Sequence, residues 1–205
     1  MNIYLSTAYL APVQYYKKLI APTNVFIEQH ENYIKQTYRN RCNILSANGV
    51  MPLSIPVEHQ KSAKIQIKDI RITYQNNWQH LHWNAIISAY NSTPFFEYYK
   101  DDFRPFYEKK FEFLFDFNEG LRTLICELLD INTNNIQYTN LYETGLQNDF
   151  REIIHPKKKT VDTDPEFIAN SYYQVFAHKF GFTENLSIID LLFNMGNESL
   201  LVLNK

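Results

Sequence analysis

The apolar positions of the first 27 residues change rhythm twice. Ile3, Tyr4 and Leu5 make a short run that predicts a strand from Asn2, giving way to a loop over Ala8–Pro12. Tyr15, Tyr16, Leu19 and Ile20 then fall at helical spacing. Pro12 suits the first turn, where its missing N–H is not needed, and Pro22 and Asn24 end the segment. Val25–Ile27 is a second apolar run. Strand, helix and strand over about 27 residues is the length of a β-α-β unit, which pairs its strands in parallel.

From Tyr38 onward the pattern favours paired short strands. Arg41–Ser46 and Val50–Val57 flank Asn48-Gly49, a strong hairpin signal because both residues tolerate positive φ. Pro52 and Pro56 place the second arm at an edge or bulge. Ile65, Ile67, Ile70, Ile72 and Tyr74 predict further strand. Trp78–Tyr90 reads as a helix, and Phe95–Tyr107 as an aromatic stretch broken by Pro105. Asn118 is a candidate cap for a helix with Leu121, Leu124, Ile125, Leu128 and Leu129 on its apolar stripe. Short strands are expected over Ile136–Thr139 and Tyr172–Ala177, an exposed loop over Thr144–Pro165 carrying Lys157–Lys159, and a last helix over Ser187–Met195 closed by Gly196. The expected fold is α/β: a central, mostly parallel mixed sheet begun by a β-α-β unit, an antiparallel hairpin extension, and helices packed on the sheet. No linker or repeat interrupts the pattern, so residues 1–205 are expected to form a single domain.

Composition narrows the class. A 205-residue chain can bury a substantial core, and a net charge of −2 disfavours nucleic acid as a partner unless a local basic patch exists. Cys42 and Cys126 give neither metal spacing nor a disulfide framework, which fits a reducing cytoplasm. No signal peptide and no membrane span is visible. The five glycines form no phosphate-binding or dinucleotide motif, and no Gly-x-Ser-x-Gly elbow or zinc signature occurs, so no cofactor or metal is expected.

The densest chemistry lies in Gln29–Cys42, directly after the second apolar run. If Thr37–Ile44 is extended, alternation sets Arg39, Arg41 and Asn43 on one face and Tyr38, Cys42 and Ile44 on the other. Two guanidinium groups on one face suit a phosphate or carboxylate, with Lys35 upstream. His30 falls where ligands bind in open parallel sheets. The competing reading is a solvated basic face ion-paired to Glu28 and Glu31. His80-x-His82 could share a metal on a strand but not on a helix, where His82 joins the apolar arc either as a hydrogen-bonded core residue or as a base. Asp101, Asp102 and Arg104 lie among aromatics that suit either core or a sugar-binding lining. Asp190, inside an apolar helix, needs a partner, for which an arginine is a candidate.

Four stretches carry a family resemblance: Ala8–Tyr16; Gln29–Arg41 with Asn48-Gly49 and Leu53–Val57; Trp78–Tyr90 with Pro94–Tyr99; and Gln174–Phe176, Gly181-Phe182 and Asn185–Gly196. In these the chain resembles the WbqC-like family, in the form common in Bacteroidetes-type bacteria. Many members carry two aspartates after the second strand, where this chain has Gln29 and His30. The resemblance implies a setting in surface polysaccharide and O-antigen synthesis. The expected function is a transferase moving a small group, acyl or aminoacyl, to or from a nucleotide-linked sugar. Lys35, Arg39 and Arg41 would bind phosphates, His30 or His82 would act as base, and Tyr33 and Trp83 would stack on base or sugar. Gln14 and Asn32 complete the expected binding set. The alternative is a non-catalytic assembly factor using the same basic face to hold an acidic partner.

Overall fold

The computed structural model describes residues 2–58, 64–157 and 164–205. Strands β1 (Asn2–Ser6) and β2 (Asn24–Glu28) pair in parallel from Asn2↔Asn24 to Ser6↔Glu28, joined through helix α1 (Val13–Leu19). Pro12 takes the N-cap position with extended backbone (φ −70°, ψ 163°). A third parallel strand, β5 (Ile136–Tyr138), joins the other edge of β2. Leu5, Val25 and Ile27 share one face of the sheet and are fully buried, while Tyr4 and Phe26 on the other face are half-buried.

The hairpin is β3 (Arg41–Ser46) and β4 (Gly49–Ser54), antiparallel, with Ala47 and Asn48 at its tip. Gly49 supplies the positive φ (+104°) and pairs with Ser46. The turn therefore lies one residue earlier than Asn48-Gly49 suggests. Pro52 sits on β4, which pairs only with β3, so its missing donor faces no ladder partner.

Around the sheets lie α2 (Trp78–Tyr90), α3 (Phe96–Glu108), α4 (Leu114–Leu128), α5 (Ala177–Phe180), α6 (Ile188–Met195) and α7 (Ser199–Leu203). The architecture is α/β, with a parallel sheet, an antiparallel hairpin and packed helices. Among the described residues no helix is long and apolar enough to cross a membrane.

Several local expectations are corrected. Helix α3 continues through Pro105, which lies near its C-terminal end, where one missing hydrogen bond is tolerated. Helix α4 begins at Leu114, so Asn118 is interior; its Nδ2 donates to the Arg39 carbonyl at 2.8 Å. Ile65–Tyr74 forms a 3-10 turn at Ile67–Asp69 and isolated bridges rather than a strand. Residues 172–176 are irregular. The segment after Thr144 is no exposed loop: Phe150, Arg151 and Ile154 are buried. Lys157 is exposed, and Lys158 and Lys159 lie outside the described residues.

Asp101, Asp102 and Arg104 face solvent while Phe96, Tyr99, Phe103 and Tyr107 pack inward, so that aromatic stretch is core. Asp190 is buried without an arginine. Its Oδ2 accepts from the Tyr172 hydroxyl at 2.7 Å and from Gln174 Nε2 at 2.9 Å.

Candidate functional site

The parallel strands deliver their ends to one edge, and the residues there are polar although buried. Ser6 closes β1 and Thr7 follows it, Glu28 closes β2, and Thr139 follows β5. Glu28 Oε1 accepts from the Thr139 hydroxyl at 2.9 Å and from the His30 backbone N–H at 2.7 Å. Its Oε2 accepts from Arg151 Nη1 at 2.7 Å. Arg151 also binds Asp149 through Nε at 2.8 Å and Nη2 at 2.6 Å, which clips the 149–154 segment over the strand ends.

Arg39 holds a parallel knot. Its Nε donates to Glu31 Oε1 at 2.8 Å and its Nη2 to Glu31 Oε2, with Glu152 Oε1 accepting from the same Nη2 at 2.7 Å. Burial alone would lower the Arg39 pKa, but the Glu31 and Glu152 carboxylates more than offset it and hold the guanidinium charged. Burial pushes the Glu31 carboxyl up, against the Arg39 fork and the Ser6 hydroxyl. A further knot joins Glu119 to the Thr7 hydroxyl (2.8 Å) and Arg122 Nε (2.7 Å).

The sign of this region corrects the expectation of a basic anion pocket. Four carboxylates (Glu28, Glu31, Asp149, Glu152) surround two guanidinium groups (Arg39, Arg151). Beneath Phe150 and Ile154 the space beside Ser6, Thr7, Tyr15, Arg39 and Arg151 is about 10 Å³, too small for a phosphate.

Arg39, Arg41 and Lys35 do not converge. Residues 37–40 turn instead of extending, so Arg39 swings inward while Arg41 and Asn43 share the outer face of β3. Arg41 Nε donates to Ser54 Oγ at 3.1 Å, and Lys35 is exposed.

The two histidines also separate. His82, on α2, is sealed in the core: its Nδ1 lies 3.0 Å from the Tyr9 hydroxyl, itself 2.9 Å from that of Tyr107. Burial lowers its pKa to about 4, against a bond to the Ser54 backbone. With 6% exposure and bonds to Tyr9 and the Ser54 backbone, His82 is a hydrogen-bonded core histidine, which takes away the ground for reading it as a base. His80 points outward to Asn84. His30 lies half-buried at the end of β2, with Nδ1 3.4 Å from both Gln66 Oε1 and Lys68 Nζ. Asn32 is exposed, Tyr33 buried, and Trp83 stacks on Tyr107 at 5.4 Å within the partly buried α2–α3 packing. Among the described residues no group of three His, Cys, Asp or Glu side chains is placed to hold a metal ion.

A roomier cavity adjoins the Arg39 knot. It encloses about 460 Å³ and is lined by Gln14, Tyr38, Asn43, Glu152, Asp164 and Asn185, among others. Gln14 Nε2 donates to Asp164 Oδ2 at 3.1 Å, and Asn185 Nδ2 to Gln14 Oε1 at 3.0 Å. Glu152 is its most consequential wall residue. Its carboxylate is 46% exposed yet anchored on Arg39, which is 2% exposed. Lys157 lies at the wall and donates to Gln36 Oε1 at 3.1 Å, drawing the Lys35–Gln36 turn to the rim. Of the residues expected from sequence, Gln14 lines this cavity.

Residues 8–163 match the model of the WbqC-like protein family, a span that includes the charged residues of the strand-end network, Glu152 among them, and part of the cavity wall, while Ser6, Thr7, Asp164 and Asn185 lie outside it. This chain belongs to the WbqC-like protein family. Among curated proteins it is 26% identical to the uncharacterized protein Rv1507c of Mycobacterium tuberculosis over 216 residues, covering 92% of this chain and 91% of that protein. No solved structure matches.

Glu119, Arg122, Thr139, Arg151 and Glu152 are absent from the residues singled out by sequence, while Glu28 and Glu31 enter there as ion-pair partners of the basic face; the Arg39–Glu31 pair forms, buried rather than solvated. A signal existed for some. Glu28 directly follows the apolar Val25–Ile27, and Glu119 and Arg122 stand three apart beside an apolar helical stripe. A charge in such a place must be paired if it is buried.

Proposed function

We propose that this WbqC-like protein is a group transferase acting on a nucleotide-linked sugar in surface polysaccharide synthesis, with the sugar held in the 460 Å³ cavity. Amide, carboxylate and phenol groups such as Gln14, Asn43, Asn185, Asp164 and Tyr38 offer the mixed donors and acceptors that sugar hydroxyls need. The diphosphate would lie at the rim, near Lys157 and Lys35. The polysaccharide setting is taken from the family resemblance.

The observation that carries this reading is Glu152, a half-exposed carboxylate facing a cavity and oriented from behind by a buried guanidinium. That is the geometry of a general base. A sugar hydroxyl or amine would lose its proton to Glu152 as its lone pair attacks the acyl carbon of an activated ester or thioester. The bond from that carbon to its carrier then breaks, and the carrier leaves with the electron pair.

The test is a thermal-shift screen of nucleotide-linked sugars, followed by turnover with activated acyl donors. Glu152→Gln is expected to retain sugar binding and lose about 10²-fold or more in turnover. Unchanged turnover in that variant removes Glu152 as the base. Silence across the panel favours the non-catalytic assembly factor.

A further inference from the structure

The opposite, amino-terminal edge of the sheet carries a second cavity of different chemistry. It encloses about 430 Å³ and is walled by Ile3, Ala21, Pro22, Phe150 and Phe167, with Lys17 and Lys18 on one side. That volume falls within the range of small-molecule sites, roughly 300–1,000 Å³.

The two lysines are in different states. Lys18 Nζ lies 3.0 Å from Asp164 and 3.5 Å from Glu166, and sits 4.3 Å from the Phe150 ring centroid. Its charge is answered by Asp164, and Glu166, 82% exposed at the cavity wall, keeps its contact with water. Lys17 Nζ donates to the Ile168 carbonyl at 3.2 Å and lies 5.9 Å from the Phe167 ring. Among the described residues no carboxylate pairs with it. Burial and then the positive charge of Lys18 both push its pKa down, the direction expected of an ammonium without a counter-ion. An anion placed there would offset both effects by its attraction for the ammonium.

We propose that this cavity binds a small amphiphilic anion, an apolar chain lying against Phe150, Phe167 and Ile3 with its anionic head on Lys17. The two cavities share one wall: Phe167 lines both, and Asp164, held by Lys18 on one side and Gln14 on the other, stands beside it in the partition. The inference stands whether or not the transferase reading does.

The probe is decanoate, titrated by calorimetry into the wild-type chain, with decanol and decyltrimethylammonium as neutral and cationic controls of equal chain length. Decanoate is expected to saturate one site and to bind more tightly than either control. Lys17→Met keeps the stem and removes the charge; it is expected to weaken decanoate about tenfold and leave decanol unchanged. Thr23→Trp, placed at the cavity wall, is expected to abolish decanoate binding without altering the melting temperature. Absence of saturable decanoate binding overturns the site. Equal decanoate affinity in the wild type and Lys17→Met overturns the assignment of the head group to Lys17.

Discussion

Two buried titratable groups outside the candidate site oppose one another. Asp190 is pushed up to about 6 by burial, against the hydrogen bonds from Tyr172, Gln174 and Tyr90. The folded state thus holds its proton more tightly than the unfolded chain. Its stabilising contribution is complete below pH 3.8 and is lost as pH rises through about 6. His82 is pushed down to about 4, so its contribution is complete above pH 6.5 and is lost as pH falls through about 4. Each amounts to about 3 kcal/mol, and over the shared window they nearly cancel. Denaturant unfolding between pH 4 and 6.5 should therefore show stability rising with pH in Asp190→Asn and falling with pH in His82→Gln. Parallel slopes in the two variants would refute these environments. The buried aspartate was visible in the sequence, but its partners were not. The answer is two phenols and an amide: burial disfavours the carboxylate charge, and neutral donors satisfy its oxygens without a counter-ion.

At the scale of elements, the sequence was most readable where periodicity acts locally. The β-α-β opening, the hairpin, α2 and α6 follow from spacing and from Pro12, Gly49 and Gly196. It was least readable where tertiary contact overrides local preference. Pro105 is carried inside α3 because Phe103 and Tyr107 on either side anchor that turn in the core. Asn118, a good cap in isolation, is drawn into α4 by its bond to the Arg39 carbonyl. Arg39 leaves the strand face since the chain turns before β3 begins. The end of α6 offers a sharp test. Gly196 has φ 56° and ψ −134°, and a Cβ there would stand 2.7 Å from the Phe95 ring. Gly145 also has positive φ (+73°), but nothing lies within 4 Å of its Cβ position. Gly196→Ala should cost about 2–4 kcal/mol by strain and overlap, and Gly145→Ala about 1 kcal/mol by strain alone. Equal melting temperatures for the two variants would contradict this packing.

Across the whole molecule, the strand-end network joins elements far apart in sequence. Arg151 ties the 149–154 segment to β2, and Arg39 ties that segment to the turn before β3 and, through Asn118, to α4. Pairings across more than 100 residues leave no trace in local spacing, and so the sequence pattern puts Arg151 and Glu152 in an exposed loop. Gln14 was legible only through the family resemblance, and the cavity it lines assembles from five separate parts of the chain. The central claim is that this cavity holds the sugar of a nucleotide-linked ligand. The most direct measurement is calorimetric binding of the best ligand from a nucleotide-sugar panel to the wild type and to Asn43→Trp, which fills the cavity from the outer face of β3. Saturable binding by the wild type, lost in Asn43→Trp at an unchanged melting temperature, is the predicted result; equal affinity in both proteins, or no binding by the wild type, would contradict it.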